Sequence, residues 1–307
     1  MPRVLKAVDR RLAIALLLVM GAASGRPSSR LMASEGGGES GDKTGQQAAL
    51  KPVAEATPDI PFIESDSDAE QLLLLLANQS RAQAGVPSLT LDPGLSRAAL
   101  IHAEAMFQAR KLSHQFEGEL SLPQRLGNAT NLPLEVEGEN VALDFDAERG
   151  HRHLMLSPPH RANLLNPVYN VVGMAVIRSG DRLYIVQDFG HALPSYSAAE
   201  VKERVAMTVA QSRHQARQPS LARRDLPTAD DAACSMAQAD KLGTSPIQQL
   251  AQRYTVLTYT SLHPETLPAN AGPALTSRNL RSFSVGACYA HTQTYPTGVY
   301  WVVLSLD

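Results

Sequence analysis

Two apolar, β-branched runs separated by a short turn place the strongest constraint on how this chain can fold. Residues 171–177 and 183–189 are each long enough for a buried strand, and the five residues between them include Gly180. This pattern predicts an antiparallel β-hairpin. Helical spacing dominates the chain before the hairpin. Because a sheet must cover its apolar surface, helices followed by strands predict a layered domain that mixes both elements.

The helices that precede the hairpin carry recognisable start and stop signals. Apolar residues at helical spacing begin near Asp68 and continue to Gly85, which stands where a helix C′ glycine is expected. Asp92 followed by Pro93 predicts the N-cap and first residue of a second helix. A further helix is predicted to stop at Pro158, because the residue before a proline disfavours helical geometry.

The N-terminal segment has the composition of an export signal. Basic residues precede an apolar run at 12–20, and small residues follow it, so residues 1–25 are predicted to be a signal peptide. The run is shorter than the roughly 20 apolar residues of a membrane-spanning helix. Residues 26–64, rich in Gly, Ser, Ala and Pro, are predicted to be a flexible linker. We therefore expect a secreted or periplasmic protein without a transmembrane span after cleavage.

Charge and cysteine content narrow the remaining possibilities. The formal net charge is −2 with no basic block, which argues against a nucleic-acid partner. Cys234 and Cys288 are the two cysteines, and an even pair in an exported protein predicts a disulfide. Both lie in a predicted small C-terminal domain at 229–307, which follows a helix and linker at 196–228. Its final strands echo the first hairpin, so a degenerate half-repeat is one interpretation of this domain.

Three motifs before the hairpin contain residues capable of chemistry. His114 ends Leu-Ser-His, Glu139 is central in Gly-Glu-Asn, and His160 is central in Ser-Pro-Pro-His-Arg-Ala-Asn-Leu-Leu. In this order and spacing, residues 68–191 resemble a bacterial member of the CAP superfamily (cysteine-rich secretory proteins, antigen 5 and pathogenesis-related 1), also called the SCP-like domain. The resemblance implies an α+β fold, with a CAP-type α-β-α sandwich over 65–195 and a small C-terminal α+β region.

The resemblance also implies a cleft lined by two histidines and two glutamates, which bind a divalent metal in some relatives. His114 and His160 match the two histidines and Glu139 matches the first glutamate. Ser157 stands where the second glutamate is expected. His151 is the better candidate for a fourth cleft group, being on the helix that leads to His160.

The residue types leave several uses of these groups open. His114, His160 and Glu139 could bind Zn²⁺ with a water in the fourth position, so a divalent metal is a candidate cofactor, although none is certain. Without metal they could form a hydrogen-bonded cluster with shifted pKa values. Each could also simply cap backbone groups. His102, on the apolar face of its helix, is predicted to be a packed core histidine.

The first hypothesis for function is an exported binding module whose cleft engages a lipid, a cell-envelope component or a protein. CAP relatives have been linked to sterol or lipid binding, signalling and defence. The alternatives are a metal-dependent hydrolase using the same cleft, and a structural or adhesion module with a vestigial cleft. The CAP-like region contains no Gly-x-Ser-x-Gly motif and no cysteine, which weakens the case for a nucleophilic hydrolase.

Overall fold

A computed structural model describes residues 4–6 and 65–307. The predicted signal peptide and linker therefore lie outside the described residues, apart from one short strand, β1 (Val4–Lys6). In the described part of the chain, no helix is both long and apolar enough to cross a membrane.

The first half of the described chain forms one four-stranded sheet with helices around it. Its elements are α1 (Ser67–Gln83), β2 (Thr90–Leu91), α2 (Pro93–Ala109), α3 (Leu122–Ala129), β3 (Leu134–Asp144), α4 (Ala147–Leu156), α5 (Pro158–Leu164), β4 (Val171–Ser179) and β5 (Arg182–Ala192). The strand order is β2-β4-β5-β3. β2 runs parallel to β4, and the other pairs are antiparallel. The predicted hairpin is β4–β5, with Gly180 at positive φ in its turn.

The helix boundaries follow the predicted signals. Asp66 accepts a hydrogen bond from the Ala69 amide at the start of α1, and Gly85 ends that helix with a φ of +71°. Asp92 caps α2 through the Leu95 amide, with a proline in the first turn. The side chains therefore satisfy backbone amides that a helix N-terminus leaves unpaired.

Helices cover both faces of this first sheet. On one face, α1 and α4 pack against alternate strand residues, and on the other face α2 does so. Buried residues on the two sides include Leu73, Leu154, Val176, Ala103 and Val186. The result is an α-β-α sandwich of the α+β class, as the resemblance implied.

The second half forms another sheet from the elements that follow β5. They are α6 (Ala198–Gln215), β6 (Ala222–Arg223), α7 (Pro227–Ala239), α8 (Ser245–Leu250), β7 (Thr255–Ser261), a 3₁₀ turn (Ala269–Ala271), α9 (Gly272–Leu275), β8 (Ser282–Ala290) and β9 (Val299–Leu306). The strand order is β1-β7-β9-β8-β6. β6 runs parallel to β8, and β8, β9 and β7 are antiparallel.

The second sheet repeats the architecture of the first. Leaving out β1, the order β6-β8-β9-β7 matches β2-β4-β5-β3, and in each sheet a two-residue edge strand runs parallel to its neighbour. One face is packed by α6 and the other by α7 and α8. We call residues 198–307 the C-terminal half.

Two glycines occupy corresponding positions in the two sheets. A Cβ on Gly173 in β4 would overlap the backbone of Leu95 in α2, and a Cβ on Gly286 in β8 would overlap the backbone of Ala229 in α7. Each glycine therefore allows a helix to approach its sheet closely.

Two buried arginines also correspond, near the ends of α1 and α6. Arg81 Nε donates to a proline carbonyl six residues later at 2.6 Å, and Arg213 Nε donates to a proline carbonyl six residues later at 2.8 Å. Each Nη1 then donates to two further carbonyl oxygens at and after the end of a short helix, those of Leu164 and Asn166 for the first arginine and of Leu275 and Ser277 for the second. The repeat therefore extends beyond the predicted hairpin to the whole sandwich.

The helix expected within residues 196–228 is present as α6, whereas the linker expected in the later part of that range contains strand β6. Val201, Val205 and Val209 of α6 are buried in the core of the second sheet, and β6 pairs with β8. A flexible linker would not pair with a strand, so the linker expectation is corrected at β6. The predicted disulfide is present: Cys234 on α7 is bonded to Cys288 on β8, with Cα atoms 5.1 Å apart. It ties a covering helix to the second sheet.

Candidate functional site

His114, Glu139 and His160 come together beside the edge strand β3. The imidazole Nδ1 of His114 lies 2.8 Å from Glu139 Oε1 and donates to it. The rings of His114 and His160 are 6.3 Å apart between centroids. The His114 side chain is 58% exposed, whereas that of Glu139 is 4% exposed. A buried carboxylate therefore orients an exposed imidazole, with a second imidazole beside it.

Arg125 holds the other oxygen of Glu139. Its Nη2 donates to Glu139 Oε2, and its Nη1 lies 3.2 Å from Glu119 Oε1. The arginine is buried on α3, whose first turn has a capping box between Ser121 and Gln124. Because an unpaired buried charge is strongly unfavourable, each group in this network depends on its partners.

His102 lies in the same buried network. Its Nδ1 is 2.6 Å from Glu119 Oε1, and its Nε2 is 2.8 Å from the carbonyl oxygen of Ser113. Both ring nitrogens therefore lie within hydrogen-bonding distance of an oxygen. The histidine is buried, as predicted, and it also links α2 to the loop that carries His114.

Asp188 lies on β5 directly opposite Glu139 on β3. Its side chain is fully buried, and within residues 65–307 neither carboxylate oxygen accepts a hydrogen bond. Burial, followed by the negative charge of Glu139, raises the pKa of Asp188 well above its ordinary value. Burial therefore favours the uncharged form of Asp188.

Amide side chains fix the segment that carries His160. Asn140 Nδ2 donates to the His160 carbonyl oxygen at 3.1 Å and to Gln187 Oε1 at 3.2 Å. Asn163 Nδ2 donates to the Glu139 carbonyl oxygen at 3.1 Å. Burial, followed by the charge of nearby His114, lowers the pKa of His160. His160 is therefore a neutral imidazole at neutral pH.

His151 does not face this cleft. It is buried between α4 and α1, where its Nε2 lies 2.9 Å from Ser80 Oγ. The spacing of His151 along α4 directs it toward α1, since residues on the inner face of α4 meet that helix. The prediction of His151 as a fourth cleft group is therefore corrected. His153 is half exposed and bonded to Asp144 at 2.6 Å.

The candidate zinc ligands do not form a three-ligand set. Both oxygens of Glu139 are taken, one by His114 Nδ1 and one by Arg125, and the guanidinium places a positive charge where a cation would approach. Across the described residues, no group of three His, Cys, Asp or Glu side chains is arranged to hold a metal ion. Two imidazoles alone fall short of the three or four protein ligands of zinc sites. The residues present therefore do not fit a zinc site of that kind.

Comparison with known proteins identifies the first sandwich. The sequence model of the cysteine-rich secretory protein family, CAP, matches residues 74–189. Residues 74–189 are a CAP domain. The cleft histidines and Glu139 all lie within this matched CAP segment.

Relatives of the CAP domain are found among bacterial proteins. The uncharacterized protein YkwD of Bacillus subtilis is 27% identical over 117 residues, which are 38% of this chain and 45% of YkwD. The chain thus matches less than half the length of that relative.

Solved structures with a similar fold include two bacterial proteins. An extracellular SCP-domain protein from Bacillus anthracis is 25% identical, with 40% of each chain covered and a TM-score of 0.37. A cysteine-rich secretory protein from Staphylococcus aureus is 22% identical, covering 48% of this chain and 44% of its own, with a TM-score of 0.33.

Sequence reasoning missed the groups beneath the CAP cleft. Arg125 and Glu119 lie in a stretch rich in Gly, Pro and Asn, where no periodicity marks a site. Asp188 carried a signal: Gln187 and Asp188 are two adjacent polar residues inside an otherwise apolar strand. A polar pair in a fully buried strand indicates either a hydrogen-bond network or a functional site.

Proposed function

We propose that this is an exported binding protein whose CAP cleft engages a lipid, a cell-envelope component or a protein through His114 and His160. The observation that carries the proposal is the contrast at the cleft. An imidazole that is 58% exposed is anchored by a carboxylate that is 4% exposed. An exposed ring held in one orientation presents a fixed hydrogen-bonding edge, which lowers the entropic cost of binding.

The surroundings of the cleft suit a ligand with both polar and apolar parts. Leu112, two residues before His114, is 45% exposed. The His114 Nδ1 is committed to Glu139, so Nε2 is the ring nitrogen left for a ligand. His160 adds a second imidazole 6.3 Å away between ring centroids. Binding sites commonly combine a few placed polar groups with apolar surface in this way.

A metal-dependent hydrolase is the second candidate, and one observation favours it. Carboxylates that hold one imidazole nitrogen often orient the other toward a metal, and Glu139 holds His114 in that manner. The missing third protein ligand counts against this candidate. A structural or adhesion module with a vestigial cleft is the third.

One set of variants separates the three functions. Purified full-length protein, His114→Ala and His160→Ala would be compared for binding to phosphatidylglycerol vesicles, phosphatidylcholine vesicles and isolated peptidoglycan. His214→Ala, an exposed histidine on α6, is the matched control. We expect each cleft variant to weaken binding to one probe at least about tenfold, equivalent to 1.4 kcal/mol, and the control to bind like the wild type.

Metal analysis of the same samples completes the test. Stoichiometric zinc in the wild type that is lost from His160→Ala would favour the hydrolase. Unchanged binding to every probe after both histidines are replaced would favour the vestigial cleft and contradict the binding proposal.

A further inference from the structure

The C-terminal half packs directly on the element that carries Arg125. A Cβ on Gly127 in α3 would overlap the carbonyl oxygen of Pro296, which lies in the loop between β8 and β9. In the same loop, Thr297 Oγ1 donates to the carbonyl oxygen of Leu134 at 3.2 Å. We call residues 291–298 the β8–β9 loop. Its contact with α3 is so close that only glycine fits at position 127.

A second contact lies one residue further along β3. Glu135 Oε2 is 3.1 Å from His191 Nδ1 on β5 of the first sheet, and Glu135 Oε1 is 3.1 Å from His263 Nε2 of the C-terminal half. The hydrogen bond with His263, more than the contact with His191, lowers the pKa of Glu135. One carboxylate thus joins a histidine from each half.

These contacts lead to the cleft through a short chain of side chains. Gly127 is two residues from Arg125 on an eight-residue helix. Arg125 donates to Glu139, and Glu139 accepts from His114. A helix of this length is unstable without tertiary packing, so the position of Arg125 depends on what covers α3.

The C-terminal half does not reproduce the polar groups of the cleft. In the first sheet, Gly173 of β4 pairs with Asp188 of β5, and Asp188 pairs with Glu139 of β3. In the second sheet, the corresponding Gly286 of β8 pairs with Val303 of β9, and Val303 pairs with Thr258 of β7. The second sheet therefore has the same strand pairing without the two acidic residues. Any contribution of the C-terminal half to the cleft must come from its contacts with the CAP domain.

We propose that the C-terminal half is an internal positioning partner of the CAP cleft. Its β8–β9 loop holds α3 in a position that lets Arg125 donate its hydrogen bond to Glu139. Glu139, held in this way, fixes the orientation of His114. Gly127, Pro296 and His263 are positioning residues in this arrangement. The inference rests on the proposed function only in taking the cleft as the functional site, and its test requires no ligand.

The test is Gly127→Ala in the full-length protein, with Gly272→Ala as the matched control. Gly272 lies in the C-terminal half with helical φ, and no described atom is within 4 Å of a Cβ built on it. Two readouts are used: hydrogen exchange of α3 amides, and the NMR signal of the His114 Nδ1 proton bonded to Glu139. We expect Gly127→Ala to accelerate α3 exchange about tenfold or more and to reduce the share of the Nδ1–H tautomer. The control should match the wild type.

A milder variant covers the case in which Gly127→Ala does not fold. His263→Ala removes one half-exposed contact and should produce smaller changes in the same direction. The proposal is overturned if either folded variant speeds exchange in the β8–β9 loop while α3 exchange and the His114 signal stay as in the wild type. Because ligand binding is not measured, this failure is distinct from failure of the proposed function.

Discussion

At the scale of single residues, the cleft depends on an ion-pair network that is largely removed from solvent. Arg125 is buried between Glu119 and Glu139. Removing it leaves two carboxylates without their cation in a region of low polarity, which typically lowers the free energy of unfolding by about 3–5 kcal/mol. The orientation of the exposed His114 imidazole therefore depends on both Glu139 and Arg125.

Arg125→Met is expected to destabilise the protein by about 3–5 kcal/mol in urea unfolding. Arg149→Met is the matched control, because Arg149 pairs with Asp144 while 46% exposed and such pairs contribute about 0–1 kcal/mol. A loss below 1 kcal/mol for Arg125→Met would show that the two glutamates do not need the arginine.

The neutral state assigned to Asp188 has a direct consequence for substitution. Asp188→Asn replaces one uncharged polar side chain with another of similar shape, so we expect a change of less than about 1 kcal/mol in unfolding free energy. Glu139→Gln, on the opposing strand, removes a charge held by two partners and should destabilise the protein more. Equal losses from the two substitutions would contradict the assignment.

The residues of the cleft were predicted unequally. Resemblance supplied His114, Glu139 and His160 because each stands in a short motif. Arg125 could not be found from sequence, since a lone arginine in an irregular stretch reads as a solvated surface residue. His151 was placed in the cleft because helix spacing gives a face but does not tell which neighbour that face meets.

At the scale of elements, the helices of the CAP-like region were predicted from their caps, whereas strand β3 and the two-residue strands β2 and β6 were not predicted. Caps at Asp92 and Gly85 are local chemistry, which a sequence displays directly. Strand β3 escaped because its alternation fails in the middle, where Gly138 and Asn140 replace apolar residues. Gly138 is itself required there, because a Cβ would overlap the hydroxyl of Tyr169. The residues at these positions interrupt the alternation of apolar and polar side chains that would have predicted strand β3.

The close approach of one helix to each sheet yields a paired prediction. Gly173→Ala and Gly286→Ala each push a methyl group into the backbone of the covering helix, and overpacking of this kind typically destabilises by about 1–3 kcal/mol. We expect both to lower the thermal midpoint, with Gly272→Ala unchanged. If one of the pair has no effect, the two halves do not share this packing constraint.

At the scale of the whole molecule, the repeat was only partly visible in the sequence. The two hairpins are similar in composition, which suggested half a repeat. The full correspondence depends on Arg81 and Arg213, which bind carbonyl oxygens far away along the chain. No local pattern distinguishes a buried arginine of this kind from an exposed one.

The junction between the halves should respond to pH through Glu135. Its lowered pKa in the folded protein means that ionised Glu135 adds stability above its unfolded pKa of about 4.3, and that this gain disappears as pH falls through the lower folded value. We expect Glu135→Gln to lower the thermal midpoint at pH 7, and the difference from the wild type to shrink below pH 4. Glu117→Gln, at an exposed loop glutamate, is the control. A difference that grows toward acid pH would contradict the assignment.

The second sheet is an internal control for the first, because the two sheets share the same strand order. The backbone that presents Glu139 and Asp188 in one copy presents Thr258 and Val303 in the other, within one chain and under one set of solution conditions. Replacing Thr258 with Glu and Val303 with Asp would therefore test whether the second sheet tolerates two buried acids without the neighbouring arginine and histidines.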